Sequence, residues 1–426
     1  MKAPIKRRLS DLAIFGGSPA FAEKVYVGRP NIGSRARLFD RFNEMLDRKW
    51  LSNHGPFVQE LESRLADFVG VRHCIAACNG TVAMEIAIRA SGLAGEVIVP
   101  SMTFVATAQA LQWLQITPVF CDIDPKTHNI DPLKAERLIG PMTSGIIGVH
   151  LWGRPCEVEP LAEIAARHGL RLLFDAAHAF GCSLNGRMIG GFGDAEVLSF
   201  HATKFFNSFE GGAIVTNDDV IARRARLMKN FGLAGPDLVA DIGTNGKMCE
   251  AAAAMALTNL ESAEEFIGAN YQNYKGYHRA LEHTPGITVL AHREVDKSNY
   301  HYVVLEIDES ITGISRDLVA EVLSAENVNA RRYFYPGCHR AAPYLSSRPD
   351  ASLQLTETEK LVDRVLVLPN GTSVEATDVA TISDVLNFVV TNGPEITMLY
   401  GEPNTVEPSE LEHRTQLPIA DARISV

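Results

Sequence analysis

The sequence predicts an α/β fold: a large unit with a mostly parallel sheet sandwiched by helices, followed by a smaller α+β unit. Three observations lead there. Between Cys74 and Thr216, short apolar runs alternate with helical patterns. Those runs are too short for free-standing helices and rich in Val, Ile, Leu or Phe, as strands buried on both faces are. The chain has 426 residues, enough for a large core and a second unit.

Residues 1–30 read as an N-terminal arm, with Gly16-Gly17-Ser18-Pro19 as a turn. The large unit is expected over 31–250. Within it Phe57, Val58, Leu61, Leu65 and Phe68 recur at helical spacing and predict a helix over 57–69. Strands are predicted at 97–99, 118–123, 145–149, 172–174, 197–200 and 213–215. Residues 247–281 read as one long helix, or two with a kink. Its first half is alanine-rich, which favours helix and allows close packing, and 251–284 is the expected connector between the units. The small unit is expected over 285–392, with strands at 302–307 and 365–368 and helices at 316–325 and 379–389. Residues 393–426 are rich in Pro, Glu and Thr and read as a loose tail.

Bulk properties narrow the function. A net charge of −11 argues against a nucleic-acid partner, which needs a basic stripe. No apolar run reaches the roughly 20 residues that span a bilayer, and the basic start MKAPIKRRLS lacks the apolar core of a secretory signal. The seven cysteines are scattered and odd in number, so a disulfide framework is not expected and the chain reads as cytoplasmic. Cys74 and Cys78 lack a second close pair to complete a zinc site and read as small core residues.

Lys204 is the most informative residue. It ends the run Ser199-Phe200-His201-Ala202-Thr203-Lys204 and precedes Gly211-Gly212, between two predicted strands. Burial lowers a lysine's pKa, and the neutral amine attacks a carbonyl to form a Schiff base. Pyridoxal phosphate chemistry needs such a lysine and an acid for the pyridine nitrogen. Asp175, at the end of the predicted strand 172–174, is either that acid or the cap of the next helix. His178 is either the neighbour of the ring hydroxyl or a polar residue at the cleft edge. Asn79-Gly80-Thr81 precedes a helical pattern, where backbone N–H groups bind a phosphate, though an ordinary cap reads the same way. Phe104 follows a predicted strand and is either a ring-stacking residue or a core phenylalanine. Ser199 can add a hydroxyl to the phosphate. Together, the order phosphate loop, stacking ring, strand-end aspartate, serine and lysine is that of a fold type I pyridoxal phosphate enzyme. Gly190-Gly191-Phe192-Gly193 is the one cluster that points to a nicotinamide dehydrogenase; it lacks the third glycine and precedes a strand.

Over roughly residues 30–390 the chain resembles the DegT/DnrJ/EryC1/StrS sugar aminotransferases. The matching stretches are Gly55-Pro56, Asn79-Gly80-Thr81, Pro100-Ser101-Met102-Thr103-Phe104, Asp175-Ala176-Ala177-His178, SFHATK and Glu210-Gly211-Gly212. The resemblance implies a homodimer with active sites shared between subunits, a nucleotide-linked keto-sugar substrate, and L-glutamate as usual donor with 2-oxoglutarate as its product. It gives Lys204 as the Schiff-base lysine, Asp175 as the pyridinium partner, Phe104 as the stacking ring, and Gly80, Thr81 and Ser199 as phosphate ligands. Asn245, in Gly243-Thr244-Asn245-Gly246-Lys247-Met248, would reach the partner's phosphate. Lys247 stands where the family has Arg, and Gly246 where Tyr is common. Lys247 and His339 are candidates for the sugar-nucleotide. An intact Lys204 disfavours the dehydratase branch, which carries histidine there. The motif SFHATKFFNSFEGG is most similar to members that convert dTDP-4-keto-6-deoxyglucose to dTDP-4-amino-4,6-dideoxyglucose. Amination at the 3-keto carbon, or a non-catalytic regulator on the same fold, are the alternatives.

Overall fold

The computed structural model describes residues 6–346 and 350–401. Its centre is a seven-stranded sheet in the order His73–Ala77, Gly212–Thr216, Ala195–Ser199, Arg171–Asp175, Thr143–Val149, Glu96–Pro100 and Thr117–Cys121. Gly212–Thr216 runs antiparallel to both its neighbours, and the other pairings are parallel. The expected strands all form. His73–Ala77 was not among them, because His-Cys-Ile-Ala-Ala has neither the bulk nor the branching of its neighbours.

The two-residue period of each strand divides the sheet between two cores. Ile98, Leu172, Phe174 and Leu198 face one side, with Leu61 and Leu65 of the helix Pro56–Val69 and Leu161 of the helix Val158–His168. Val97, Val99, Leu173 and Val197 face the other, with Ala87 of the helix Gly80–Ala90 and Leu111 of the helix Ala106–Trp113. Both faces are therefore apolar, as the unbroken runs require. Asp175 and Ser199 end their strands at one edge, and the helix Gly80–Ala90 starts there.

The small unit is an antiparallel sheet of Ile287–Val289, Val303–Ile307 and Val365–Leu368, packed on the helices Ala263–Leu281, Arg316–Ala325 and Ala376–Thr391. The connector is two helices, Glu250–Leu260 and Ala263–Leu281, broken at Glu261-Ser262. Ala253, Ala254 and Leu257 of the first belong to the large core, and Tyr274, Tyr277 and Leu281 of the second to the small one. Phe266, at the start of the second helix, still belongs to the large core, so the crossover to the small one comes within that helix.

At the ends of the described residues one expectation needs correction, that of a tail loose from residue 393. The arm is docked on the small unit: Leu12 is fully buried, and Val25–Tyr26 pairs in parallel with Val328–Asn329. The Glu326 carboxylate, 0 % exposed, meets Lys6 Nζ at 2.8 Å and accepts from the N–H groups of Ala13 and Ala20, each at 2.7 Å. The tail begins as a helix, Gly393–Tyr400, with Pro394 in its first turn and Ile396 buried. The rest of the expected tail, 402–426, lies outside the described residues. Among the described residues no helix is long and apolar enough to cross a membrane.

Candidate active site

Strand ends, a helix start and a segment of the small unit meet in one cavity of about 490 Å³. Gly80, Thr81, Phe104, Asp175, His178, Ser199 and Lys204 all line it. Seven of the expected site residues, spread over 125 positions of sequence from Gly80 to Lys204, are thus brought together by the sheet edge.

Lys204 follows the strand Ala195–Ser199 in a loop pinned from the small unit, where His301 Nε2 meets the Thr203 carbonyl at 3.0 Å. Lys204 Nζ donates to Tyr302 Oη at 3.1 Å. Burial pushes its pKa down to about 8, and the Asp175 carboxylate works in the opposite direction. Asp175 is held from two sides: Oδ2 accepts from the Thr107 hydroxyl at 2.7 Å and Oδ1 from the Ala177 N–H at 3.1 Å. These bonds fix the plane of the carboxylate.

The helix Gly80–Ala90 is capped by Asn79, whose side chain accepts from the Val82 N–H at 2.8 Å. The helix start packs closely on its surroundings. A Cβ at Gly80 would lie 3.0 Å from Ser199 Cβ, and one at Gly212 would lie 2.7 Å from Gly80 N. Only glycines permit this approach, which leaves the positive end of the helix beside the hydroxyls of Thr81 and Ser199. That is a donor set for an anion such as phosphate.

The Phe104 ring is 50 % exposed, which removes the core-phenylalanine reading. It stands 5.8 Å from the Phe334 ring, and Phe334 in turn stacks on His178 at 5.6 Å. His178 Nδ1 accepts from the Trp152 N–H at 3.2 Å, so the neutral ring carries its proton on Nε2. Burial, then the Lys204 charge, hold His178 well below its ordinary pKa.

The other three expected residues are elsewhere. Asn245 is exposed on an edge that bridges to Asn230. Lys247 Nζ donates to Asn230 Oδ1 at 3.0 Å and lies 4.6 Å from the Phe231 ring centre. Neither lines the cavity of its own chain. His339 corrects the expectation of a sugar-nucleotide contact. It is 1 % exposed, with Nδ1 at 2.6 Å from Ser101 Oγ and Nε2 at 2.5 Å from Glu359. Both ring nitrogens are used, and burial lowers its pKa to about 4.

Sequence reasoning missed Thr107, Tyr302, Arg331, Tyr333 and Phe334, which also line the cavity. Four of them come from the small unit. One signal was available: Tyr302 directly precedes the apolar run of the strand Val303–Ile307, the position from which a side chain looks off a strand end. Cys74, by contrast, is a buried core residue, and the described residues contain no cluster of His, Cys, Asp or Glu able to hold a metal ion.

Comparison with known proteins agrees with this geometry. The model of the DegT/DnrJ/EryC1/StrS aminotransferase family matches residues 34–387. A dTDP-4-amino-4,6-dideoxy-D-glucose transaminase from Escherichia coli is 36 % identical over 363 residues, covering 84 % of this chain and 97 % of the relative. Among solved structures, DesI in the presence of its TDP-sugar product superposes with a TM-score of 0.88 at 50 % identity, covering 92 % of this chain and all of that one. DesV from S. venezuelae, in complex with a ketimine intermediate, has a TM-score of 0.78 at 28 % identity, covering 84 % of this chain and 95 % of that one. The α/β architecture is that of the fold type I transferases that use pyridoxal phosphate. A match over most of the chain, with the lysine and aspartate in one cleft, places this protein in the DegT/DnrJ/EryC1/StrS aminotransferase family.

Proposed function

We propose that the cleft binds pyridoxal 5'-phosphate and that the protein transfers an amino group from L-glutamate to the 4-keto carbon of dTDP-4-keto-6-deoxy-D-glucose. The products are 2-oxoglutarate and dTDP-4-amino-4,6-dideoxy-D-glucose. The observation that carries this reading is Lys204, with its pKa lowered to about 8 by burial, in the same cavity as a doubly held Asp175. The choice of sugar is supported by the name of the Escherichia coli relative and by the TDP-sugar product of DesI. The reducing cytoplasm is the compartment that suits cysteines without disulfides.

The residues fit the cofactor. The glycine cradle at Gly80 with the hydroxyls of Thr81 and Ser199 suits a phosphate, Asp175 suits a protonated ring nitrogen, and Phe104 offers an exposed ring face. When bound, pyridoxal phosphate supplies an electron sink that lets the carbon bearing the amino group exchange a proton. Asp175, its carboxylate held in place by Thr107 and Ala177, would accept a hydrogen bond from the protonated ring nitrogen. Lys204 Nζ removes the proton from the glutamate α-carbon and, in the second half of the cycle, delivers a proton to C4 of the sugar. Tyr302 holds the amine between these steps. Burial raises the pKa of the Tyr302 phenol, so it stays protonated. His178 is a neutral polar neighbour.

The homodimer belongs to this reading. Phe231, Leu238, Val239 and Ile242 are exposed apolar side chains close to Asn245, a face suited to a second copy. Asn245 would then contact the partner's phosphate, and Lys247 the diphosphate of the sugar in the partner's cleft. Incubation with glutamate and the 4-keto or the 3-keto nucleotide sugar, followed by NMR of the products, tests the reaction. Amine at C4 is expected. Amine from the 3-keto sugar alone would overturn the regiochemistry, and none from either, with cofactor bound, would favour a regulator.

A further inference from the structure

We propose that Asn31 is a positioning residue for the amine of Lys204: from the point where the N-terminal arm enters the large unit, its side-chain amide ties the loop that carries Lys204 to the small unit. This rests on the aminotransferase reading above, in which Lys204 Nζ moves a proton in both half-reactions. The need for such a tie follows from the backbone. Residues 200–211, between the strands Ala195–Ser199 and Gly212–Thr216, form neither helix nor strand. A segment without a ladder depends on what its carbonyls and N–H groups meet outside it. A misplacement of about 1 Å at a reacting group can cost about 100-fold in rate, so the anchors of this loop bear on the chemistry.

Lys204 is held on both sides from outside the loop. Before it, the Thr203 carbonyl meets His301 Nε2 of the small unit. After it, the Phe205 carbonyl accepts from Asn31 Nδ2 at 2.9 Å. Asn31 is 1 % exposed, and its Oδ1 accepts from the Thr372 N–H at 3.0 Å and from the Thr372 hydroxyl at 2.8 Å. Thr372 belongs to the small unit, so one amide reaches from unit to unit. Its orientation is set by chemistry: a backbone N–H only donates and a carbonyl only accepts, so the oxygen faces Thr372 and the nitrogen faces Phe205. The Asn31 carbonyl accepts in turn from Asn207 Nδ2 at 2.9 Å. Gly28 of the arm lies against the same loop, where a Cβ would stand 3.0 Å from Thr203 Cβ.

These bonds close a circuit around the amine. Lys204 Nζ donates to Tyr302 Oη at 3.1 Å. Two residues before Tyr302, the Tyr300 carbonyl accepts from Asn370 Nδ2 at 2.6 Å. Asn370 Oδ1 accepts from the Gly371 N–H at 2.8 Å and from Asn273 Nδ2 at 3.1 Å, which fixes the turn leading to Thr372. Thr372 leads back through Asn31 to Phe205, the neighbour of Lys204. Asn31 is the link that the arm supplies. A buried polar network of this kind specifies one geometry when every member is satisfied. Without the Asn31 amide the chain after Lys204 loses its tie to the small unit, and the spacing of Nζ from Tyr302 relaxes. Asn31 does not line the cleft, so its effect passes through Lys204 and not through a contact with substrate.

The test asks whether proton transfer slows while binding stays. Enzyme loaded with pyridoxal phosphate is mixed with L-glutamate, or with glutamate deuterated at its α-carbon, and the change in cofactor absorbance is followed over a single turnover. The aminated enzyme is then mixed with the keto-sugar nucleotide. Asn31→Ala should slow both half-reactions by about 10-fold or more, the scale of a displaced reacting group. Its deuterium isotope effect should be no smaller than in the wild type, its amplitude unchanged, and its KM for each substrate within about twofold. Asn31→Asp keeps both acceptor bonds from Thr372 but cannot donate to Phe205 at neutral pH, so it should be as slow as Asn31→Ala. Thr372→Val removes one bond of the circuit at an exposed position and should slow both half-reactions about twofold to fivefold. Added to Asn31→Ala it should slow them no further, because the two residues act through one link. If neither Asn31 variant folds, Thr372→Val decides, and an unchanged rate there overturns the proposal. So does an unchanged rate in either Asn31 variant. A reduced amplitude at unchanged rate would make Asn31 merely structural, and a slower half-reaction with a diminished isotope effect would put the loss in another step; each overturns the proposal. Failure of the wild type to transfer an amine from any donor would sink the aminotransferase reading itself, and is seen without any variant.

Discussion

Removing the charge of Asp175 should make Lys204 a weaker base. An ordinary lysine titrates at 10.5, whereas burial brings Lys204 to about 8. At pH 7.5 an amine with a pKa of about 8 is neutral in about a quarter of molecules, against about one in a thousand for the ordinary value. The difference is a gain of about two orders of magnitude in reactive amine, without which the residue would be an idle cation near neutral pH. The Asp175 carboxylate favours the ammonium form, so Asp175→Asn must lower the pKa further. The assay is competitive trace acetylation of the cofactor-free protein across pH, with the Lys204 peptide quantified by mass spectrometry against a free amine standard. The wild-type midpoint should lie near 8, and the Asp175→Asn profile should move toward lower pH. A midpoint at the ordinary lysine value, or a profile displaced to higher pH in the variant, would refute the electrostatic account of the site.

Three other perturbations probe separate parts of the structure. Gly80→Ala sets a Cβ at 3.0 Å from Ser199 Cβ, so pyridoxal phosphate affinity should fall about tenfold or more while the thermal melt stays cooperative. Asn245→Asp puts a negative charge where a partner's phosphate is proposed to lie and should inactivate. Mixing it with inactive Lys204→Ala chains should restore part of the activity, because each mixed dimer contains one intact site; a fully active monomer would end the shared-site idea. Glu326→Ala leaves buried Lys6 without its carboxylate and two N–H groups without an acceptor, and should cost about 3–5 kcal/mol in urea unfolding. A loss below about 1 kcal/mol would mean that the arm contributes little.

What the sequence made legible is what is local in it. Asp175 ends an apolar run, Lys204 lies between two strands, and Gly80-Thr81 starts a helix, so each could be read from its neighbours. Tyr302, Arg331, Tyr333 and Phe334 were not legible, because they reach the cleft only when the small unit folds against the large one. His339 misled for a related reason. The family resemblance made His339 a substrate candidate, but Ser101 and Glu359, distant in sequence, occupy both its nitrogens. The arm was read from a turn motif and the tail from composition averaged over a long stretch. Single apolar side chains, Leu12 and Ile396, decide that their segments dock. Of the two readings of 247–281, the structure takes two helices broken at Glu261-Ser262, and periodicity does not reveal that the second passes from the large core at Phe266 to the small one at Tyr274, Tyr277 and Leu281.

The central claim is that Lys204 is the residue through which this protein holds and uses its cofactor. Borohydride reduction of the protein loaded with pyridoxal 5'-phosphate, followed by proteolysis and peptide mapping, tests it most directly. The account predicts a pyridoxyl group on Lys204 in the wild type, and neither that label nor the cofactor's visible absorbance in Lys204→Ala. A label on any other lysine, or an unaltered spectrum in Lys204→Ala, would contradict it.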